Sequence, residues 1–330
     1  MKVGLYLTTQ FTPETDVAAA KAELIDQVRT ARDAGFSSLW VPHHYVTQPM
    51  QMLAPIPMLA YLARDAEGMV MGTNILVMPL LNPVHVAEDA VTLDLLSGGR
   101  YVLGMGVGYR EAEFNTFNVP LKERVQRLTE SAEIMRRLWT EERVNYKGKI
   151  FNVEDLGIGL KPQRPGGPPI WIGGVVDAAV KRAARIGDAW LITNFAHLNV
   201  LVPQMKMYRE TLAEVNKPFP EDVPITRECY IGPSPKQALE ECKAALQYKY
   251  GAYSSWGLDK QSEGSESFNQ NFEDFVKDRF IIGDKAFVKD EIQRYRDLLG
   301  VNHFIMRVQW PGLGHDKVLR TISTLGEIFA

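Results

Sequence analysis

The chain has 330 residues, of which 45% are hydrophobic and 23% are charged, and its formal net charge at pH 7 is −3. This composition is typical of a soluble globular enzyme, and the slightly acidic balance argues against a protein that binds nucleic acid through a basic surface. The length falls within the range of one large α/β barrel with insertions.

The N-terminal segment MKVGLYLTTQF lacks the long apolar region and the small-residue cleavage site of a signal peptide, and no stretch reaches membrane-spanning length. The two cysteines, Cys229 and Cys242, form neither a CxxC pair nor a disulfide framework. We therefore expect a cytoplasmic protein that has no membrane segment and no metal site.

Short β-branched or aromatic runs alternate with longer amphipathic segments along the chain. The runs predict eight strands, at Val3–Thr8, Ser38–Val41, Val70–Val77, Tyr101–Gly106, Ile170–Ile172, Ala189–Ile192, Ile225–Ile231 and His303–Val308. The segments between them predict helices at Thr15–Ala34, Pro83–Leu96, Leu121–Trp139, Asp177–Ile186, Pro235–Tyr250 and Lys285–Leu299. Asp177 is a candidate helix cap, and Gly35, Gly187 and Gly300 follow helix ends. The alternation predicts an α/β protein with a parallel sheet, and eight units predict closure into a (β/α)8 TIM barrel.

Two segments interrupt the alternation, so we interpret residues 1–330 as a single barrel domain with insertions near 140–169 and 254–280. The first insertion predicts a short hairpin followed by a Pro/Gly-rich crossing into the fifth strand. The second is polar with isolated aromatic residues. A loop of that length in a compact domain is either disordered or covers a site, and we expect a lid.

Two adjacent histidines, His43 and His44, follow the second predicted strand. In a TIM barrel the residues just after each strand form the functional rim, and imidazole both donates and accepts protons near neutral pH. Adjacent residues in an extended segment point to opposite sides, so only one of the two should face the barrel mouth. The alternative for both is a structural role in holding the loop.

Glycines follow the fourth and fifth predicted strands. Gly106 and Gly108 lie in the stretch LGMGVGYREAEF, whose GxGxG spacing differs from the GxGxxG of a dinucleotide-binding turn. They favour close approach of a flat ring or a phosphate to the backbone. Gly173 and Gly174 lead into a helix whose first N–H groups and dipole can hold a phosphate, although such a turn also occurs for packing alone.

A lone asparagine, Asn74, stands within the third predicted strand, where this residue type is depleted. Either its amide satisfies a buried group or its peptide adopts an unusual geometry beneath a ligand.

The residues expected to line a substrate pocket are mostly apolar and aromatic, which indicates an uncharged organic substrate. They are Phe11, Tyr109, Asn194 and Trp256, with ordinary packing as the alternative for each. Arg227 and Arg307 lie within the last two strands, where they either meet an anionic substrate or pair with barrel acids such as Glu228.

Four segments taken together resemble the bacterial luciferase-like family of flavin-dependent oxidoreductases, and the likeness covers almost the whole chain. The segments are GFSSLWVPHHYV (35–46), GTNILVMPLLNPVHVAEDAVTLDLLSGGRYVLGMGVGYREAEFNTF (72–117), PPIWIGG (168–174) with AARIGDAWLI (183–192), and IIGDKAFVKDEIQRYRDLLGVNHFIMRVQWPG (281–312). The resemblance implies a TIM barrel with an inserted region, commonly dimeric, that binds FMN or the deazaflavin F420.

The resemblance also implies roles for individual residues. His43 matches the luciferase histidine that serves as catalytic base, whereas the motif of F420-using relatives places that role on His44, so both remain candidates. The Asn74–Ile75 peptide matches the family's non-proline cis bond beneath the flavin ring. An arginine that grips the flavin phosphate in luciferase matches Val107, which implies weaker retention of a free flavin. The residues implied to contact the cofactor are Asn74, Ile75, Gly106, Val107, Gly108, Gly173, Gly174, Val175 and Val176.

The leading hypothesis from the sequence is a luciferase-like monooxygenase that uses reduced FMN and O2 to oxidise a small organic substrate. No nicotinamide motif is visible, which favours reduced flavin supplied by a separate flavin reductase. The alternative is an F420-dependent dehydrogenase or reductase on the same fold, and a third possibility is a barrel that binds flavin without catalysis. We expect a homodimer without nucleic acid or membrane partners.

Overall fold

The computed structural model of the chain describes residues 1–258 and 271–330. Its strands are β1 (Lys2–Tyr6), β2 (Gln10–Phe11), β3 (Ser38–Val41), β4 (Gln51–Met52), β5 (Val70–Thr73), β6 (Leu76–Val77), β7 (Tyr101–Gly106), β8 (Val144–Lys147), β9 (Asn152–Leu156), β10 (Ile170–Gly174), β11 (Ala189–Ile192), β12 (Pro224–Ile231), β13 (Ile281–Gly283) and β14 (His303–Arg307). Its α-helices are α1 (Val17–Asp33), α2 (Pro55–Leu62), α3 (Pro83–Leu96), α4 (Glu111–Thr116), α5 (Arg124–Thr140), α6 (Asp177–Ile186), α7 (Leu198–Glu214), α8 (Pro235–Ser255), α9 (Phe272–Val276), α10 (Lys285–Leu299) and α11 (His315–Phe329). Within the residues described, no helix combines the length and the apolar character needed to cross a membrane.

Eight of these strands form a closed parallel barrel in the described part of the chain. Each pairs with its neighbours in the order β1, β3, β5, β7, β10, β11, β12 and β14. The ring closes where β14 pairs with β1 and where β7 pairs with β10. Because helices follow the strands around the outside, the predicted (β/α)8 TIM barrel is confirmed.

The strands alternate between the barrel interior and the layer of helices, as pleated strands must. In β3, Trp40 faces the interior and stacks on Trp171 of β10 with ring centroids 4.8 Å apart. Its neighbour Leu39 belongs to the apolar core between the strands and the helices. Tyr6 and Ile305 complete the aromatic and aliphatic filling of the interior, above which the carboxyl ends of the strands form the barrel mouth.

The start of α6 differs from the prediction that Asp177 caps this helix. Val176 occupies the cap position and makes no side-chain hydrogen bond to the helix, while Asp177 is the first helical residue. The Asp177 carboxylate instead accepts a hydrogen bond of 3.0 Å from Nε2 of Gln204. The first N–H groups of α6 are therefore without a side-chain cap, in contrast to α1, where Asp16 accepts from two backbone N–H groups.

The third predicted strand, Val70–Val77, is two strands in the structure. β5 ends at Thr73, a cis peptide joins Asn74 to Ile75, and β6 resumes at Leu76. The predicted cis geometry of this peptide is thus confirmed. The break places both residues of the cis peptide at the barrel mouth, beside β7.

The insertion near 140–169 contains the predicted hairpin, formed by antiparallel pairing of β8 with β9. Glu130 of α5 holds the turn between these strands. Its carboxylate accepts hydrogen bonds of 2.8 to 3.2 Å from the backbone N–H groups of Lys149, Ile150 and Phe151. The hairpin is therefore fastened to the barrel through a buried carboxylate rather than through apolar contacts alone.

The second insertion, near 254–280, is described at its two ends, and residues 259–270 lie outside the described residues. At the N-terminal end of this insertion α8 continues to Ser255. At its C-terminal end α9 packs into an apolar cluster with Tyr250 and Phe280. The lid remains a prediction.

Candidate active site

A cavity of about 260 Å³ opens at the barrel mouth. The residues predicted from the sequence that the structure brings together in its wall are His43, His44, Asn74, Ile75, Gly106, Val107, Gly108, Tyr109, Gly173, Gly174, Val175, Val176 and Asn194. A mostly apolar cavity with a few convergent polar groups at this end of a barrel is the usual form of a ligand site.

Two predicted pocket residues do not line this cavity. Phe11 is 5% exposed and lies in the core under the helices. Its neighbour Gln10 turns towards the interior, where it binds Arg307 and Tyr253, so the alternation of β2 directs Phe11 the other way. Trp256 lies behind the wall, with its ring centroid 5.6 Å from that of His44.

His43 is a buried, neutral imidazole. Its Nδ1 accepts a hydrogen bond of 3.1 Å from the backbone N–H of Val77, which leaves the proton on Nε2. Burial, followed by the nearby His44, lowers the pKa of His43 to about 4. At neutral pH this residue can donate one hydrogen bond into the cavity, but it is poorly suited to take up a proton.

His44 has the opposite arrangement. Its Nδ1 lies 3.0 Å from Oε1 of Glu113, a carboxylate at the start of α4 that is fully buried. Burial alone would raise the pKa of Glu113, but hydrogen bonds from His44 and from the Tyr45 backbone N–H, with the Arg110 charge, hold it below its usual value. An ionised Glu113 keeps the His44 proton on Nδ1, so Nε2 is the basic atom in a cavity-lining ring.

Arg110 fixes the loop that carries the two histidines. Its guanidinium donates hydrogen bonds of 2.7 Å to the Tyr45 carbonyl and 3.2 Å to the Val46 carbonyl. The same group lies 3.4 Å from Glu113 and 3.8 Å from the centre of the Trp256 ring. Because both terminal nitrogens donate hydrogen bonds and the Trp256 ring lies against the guanidinium, Arg110 positions the loop and is not free to bind an anion.

The cis peptide forms a bulge in the cavity wall. The Ile75 side chain fills the space above Gly106 and Gly173, where an added Cβ on either glycine would lie 3.0 Å from Ile75 carbons. The two glycines therefore leave room for the Ile75 side chain, and their predicted approach to a ring or phosphate stays a prediction. The Asn74 amide donates a hydrogen bond of 2.8 Å to Thr226 Oγ1, which holds the bulge against β12.

An anion cradle adjoins this bulge, where β10 runs into α6. Gly174 and Val176 precede the uncapped helix start, and Gln204 fixes the turn by donating 2.8 Å to the Val175 carbonyl. Arg124 and Arg182 line the same part of the cavity. Burial and then the charge of Arg124 lower the pKa of Arg182. Two like charges in the same cavity wall as a helix N-terminus, without an acidic partner among the described residues, favour a bound phosphate.

The inner wall carries a buried charge network. Glu228 accepts hydrogen bonds from Lys249, Trp310 and the cavity-lining Asn194, and from the Tyr250 hydroxyl at 3.0 Å. Arg307, which also lines the cavity, lies 4.0 Å from Glu228. This network fixes the direction of the Asn194 amide. Arg227, by contrast, donates to backbone carbonyls and does not reach the cavity.

Sequence reasoning missed three charged residues of the site, Glu113, Arg124 and Arg182. The luciferase arginine that grips the flavin phosphate matches Val107 here, and the structure brings two other cations, from α5 and α6, to the cavity wall. The weaker retention of a free flavin stays a prediction. A signal for Glu113 was available, since Arg110 and Glu113 stand three residues apart just after a glycine-rich strand end. The two arginines lie on ordinary amphipathic helices, where sequence offers no such signal.

The chain belongs to the luciferase-like monooxygenase family, whose model matches residues 1–302. Among related proteins, the F420-dependent glucose-6-phosphate dehydrogenase of Amycolatopsis mediterranei is 27% identical over 308 residues, covering 89% of this chain and 90% of its own. Among solved structures, monooxygenase RslO1 from Streptomyces bottropensis has a TM-score of 0.84 at 20% identity, with 99% of this chain and 98% of its own covered. An F420-dependent secondary alcohol dehydrogenase in complex with an F420-acetone adduct has a TM-score of 0.80 at 20% identity, with 98% of both chains covered.

The family and the fold make this protein an oxidoreductase of the luciferase-like type. At 20% identity the solved structures establish the barrel alone. The proteins similar in sequence include several that are named as F420-dependent dehydrogenases.

Proposed function

We propose that this protein is an F420-dependent dehydrogenase or reductase that interconverts an alcohol and a carbonyl compound. The observation that carries the proposal is the His44–Glu113 pair, in which Nδ1 is engaged by a carboxylate and Nε2 belongs to a ring in the cavity wall. An imidazole so oriented accepts a hydroxyl proton during oxidation and returns it during reduction. The sequence relatives named as F420-dependent enzymes support the same choice.

The residues of the cavity fit a phosphate-bearing deazaflavin. The start of α6, with Arg124 and Arg182, would hold the phosphate, and the bulge at Asn74 and Ile75 would lie against the ring system. When bound, F420 accepts or donates a hydride at its ring. The protein itself supplies the orientation of the reactants, the neutral donor His43 and the proton-accepting Nε2 of His44.

The monooxygenase that uses reduced FMN was the leading hypothesis from the sequence, and it now ranks second. Its support comes from solved structures such as RslO1, which at 20% identity carry an argument for the fold alone. The anion cradle fits the phosphate of either cofactor, so it does not favour FMN over F420. The proton-accepting pair of His44 and Glu113 suits alcohol oxidation more directly than it suits oxygen chemistry.

Anaerobic binding and turnover test the choice. We expect the purified protein to bind F420, as followed by its fluorescence, and to bleach its visible absorbance without oxygen when an alcohol is added. Oxidised and reduced FMN are titrated in parallel. Failure to bind F420, together with oxygen-dependent turnover on reduced FMN, would overturn the proposal in favour of the monooxygenase.

A further inference from the structure

The hydroxyl of Tyr109 stands out among the polar groups of the cavity. Tyr109 follows Gly108, whose backbone φ of 70° turns the chain at the end of β7. The Tyr109 side chain lines the cavity, and its hydroxyl oxygen is buried without a hydrogen-bond partner among the described residues. A buried hydroxyl without a partner is unfavourable, which indicates that a ligand satisfies it.

The Tyr109 ring lies beside the proposed base in the cavity wall. The Tyr109 ring stands edge-on to His44, with ring centroids 6.0 Å apart and planes at 85°. Burial, followed by the neighbouring Tyr253, raises the pKa of Tyr109 well above its usual value. The phenol therefore keeps its proton across the working pH range and can act as a hydrogen-bond donor throughout.

We propose that the Tyr109 hydroxyl donates a hydrogen bond to the oxygen of an uncharged alcohol or ketone held against His44. This inference rests on the proposed dehydrogenase function and adds to it a second contact to the substrate oxygen. His44 Nε2 accepts a hydrogen bond from the substrate hydroxyl, and Tyr109 supplies one to the same oxygen. The two contacts are complementary, because one is an acceptor and the other is a donor.

During oxidation the carbinol C–H bond would break, and its hydrogen would leave with the electron pair as a hydride that bound F420 would accept. The substrate O–H bond breaks and its proton moves to His44 Nε2, while the C–O bond becomes a carbonyl. Tyr109 keeps its own proton. Its hydrogen bond strengthens as negative charge develops on the oxygen, so it lowers the barrier in both directions.

The surroundings of His44 suit an uncharged substrate. The rings of Tyr253 and Trp256 lie with centroids 6.0 and 5.6 Å from the His44 ring. Arg110, which shares Glu113 with His44, is already engaged by carbonyls and by Glu113. Of these two rings Tyr253 lines the cavity, and the cation bound to Glu113 is not free to pair with a substrate anion, which is unfavourable for a phosphorylated or carboxylated group held against His44.

Tyr109→Phe tests the inference, because it removes one oxygen and keeps the ring. With F420 bound, we expect kcat/KM for a secondary alcohol such as cyclohexanol to fall by about 100-fold, the usual effect of losing one donor to a developing oxyanion. Inhibition by cyclohexanone should weaken, and the Kd for F420 should stay within about twofold of the parent value. Tyr248→Phe, at an exposed tyrosine of α8, is the matched control.

The thermal midpoint of the cofactor-free protein is a second readout that needs no turnover. Because Tyr109 has no described partner, the Tyr109→Phe variant should melt at the same temperature as the parent or higher, whereas loss of a structural hydrogen bond would lower it. Parent-like kcat/KM in this variant, or a lowered melting temperature without a kinetic effect, would overturn the role of Tyr109 alone. Faster reaction with glucose 6-phosphate than with neutral alcohols would contradict the proposal that the substrate is uncharged. A parent protein that does not bind F420 would overturn the proposed function, and this inference with it.

Discussion

Nδ1 of His44 lies 3.0 Å from the buried Oε1 of Glu113, while the adjacent His43 turns its Nδ1 to the Val77 backbone N–H. Two identical side chains side by side in sequence thus carry their proton on different ring nitrogens. Nδ1 of His44 faces a carboxylate acceptor, whereas Nδ1 of His43 faces an N–H donor. Of the two candidates that the sequence left open, the geometry favours His44 as the proton acceptor.

We expect His44→Gln to lower kcat by about 10²–10⁴-fold, since positioned acid–base groups contribute by that amount. Glu113→Gln should lower kcat by about 100-fold or more, because the amide no longer fixes the proton on Nδ1. Both effects are measured by single-turnover reduction of bound F420. Glu111→Gln, at an exposed position of the same short helix, should leave the rate unchanged. A loss of rate in a His43 variant but not in His44→Gln would reverse the assignment.

His43 should make the free energy of unfolding depend on pH. Its pKa in the folded protein is about 4, below the usual value of 6.5, so the folded state disfavours the protonated form. The unfolded chain takes up a proton first as the pH falls, and stability is therefore lost between about pH 6.5 and pH 4, by about 3 kcal/mol at most.

The variant His43→Asn isolates this contribution, because the Asn Oδ1 can still accept from the Val77 N–H while no proton can be taken up. Urea denaturation at a series of pH values should show a shallower loss of stability for His43→Asn than for the parent. His85→Asn, at a solvent-exposed histidine of α3, should keep the parent slope. Equal slopes in all three proteins would show that His43 is protonated as readily in the folded state as in the unfolded chain.

Much of the barrel could be read from the sequence, because buried parallel strands are short apolar runs bounded by turn residues. The predicted bounds of β3, β7, β11, α3 and α10 match the structure residue for residue. Helices α2, α4, α7, α9 and α11 have no counterpart among the helices predicted from the sequence. α7 contains Pro203, a residue that disfavours a helix interior. The helix is stabilised by its packing against the barrel, and a local sequence pattern does not show that packing.

The site was predictable where it depends on the ends of strands and less so where it depends on helices. His43, His44 and the glycines follow strands, and the barrel rule alone assigns them to the mouth. Arg124 and Arg182 reach the cavity from α5 and α6, so their convergence depends on the closure of the barrel. The prediction that Phe11 lines the pocket was wrong, because β2 has two residues and its sequence shows no alternation that would distinguish its two faces.

Arg182 should contribute to cofactor binding at the expense of stability. Arg182 is partly buried, and both its burial and the like charge of Arg124 disfavour its charged form. Arg182→Gln should therefore weaken F420 binding by about 10–100-fold, as expected for a lost charge-assisted hydrogen bond. The same substitution should leave the melting temperature of the cofactor-free protein unchanged or raise it.

Fluorescence titration at low and high salt checks this prediction, since the parent affinity should fall more steeply with salt than that of the variant. Arg185→Gln, at a largely exposed arginine of the same helix, provides the control. Unchanged affinity in both Arg182→Gln and Arg124→Gln would place the cofactor phosphate elsewhere.

Lys249 and Glu228 form an ion pair in which both side chains are fully buried. Burial alone would raise the pKa of Glu228, but the charges of Lys249 and Arg307 hold it below its usual value. Lys249→Met leaves this carboxylate with one cation fewer, and we expect a loss of about 3–5 kcal/mol in the free energy of unfolding. Lys236→Met, at an exposed lysine of the same helix, should change it by less than about 0.5 kcal/mol.

The double variant Glu228→Gln with Lys249→Met separates a role in stability from a role in the site. Removing both charges avoids an unpaired buried ion, so the double variant should be more stable than the sum of the single losses predicts. Its Asn194 amide loses the ionised acceptor that directs it, so alcohol turnover should still fall. Urea denaturation and steady-state kinetics on the same samples measure both. Recovery of stability together with full activity would show that the network behind the cavity holds the fold and does not orient Asn194 for the reaction.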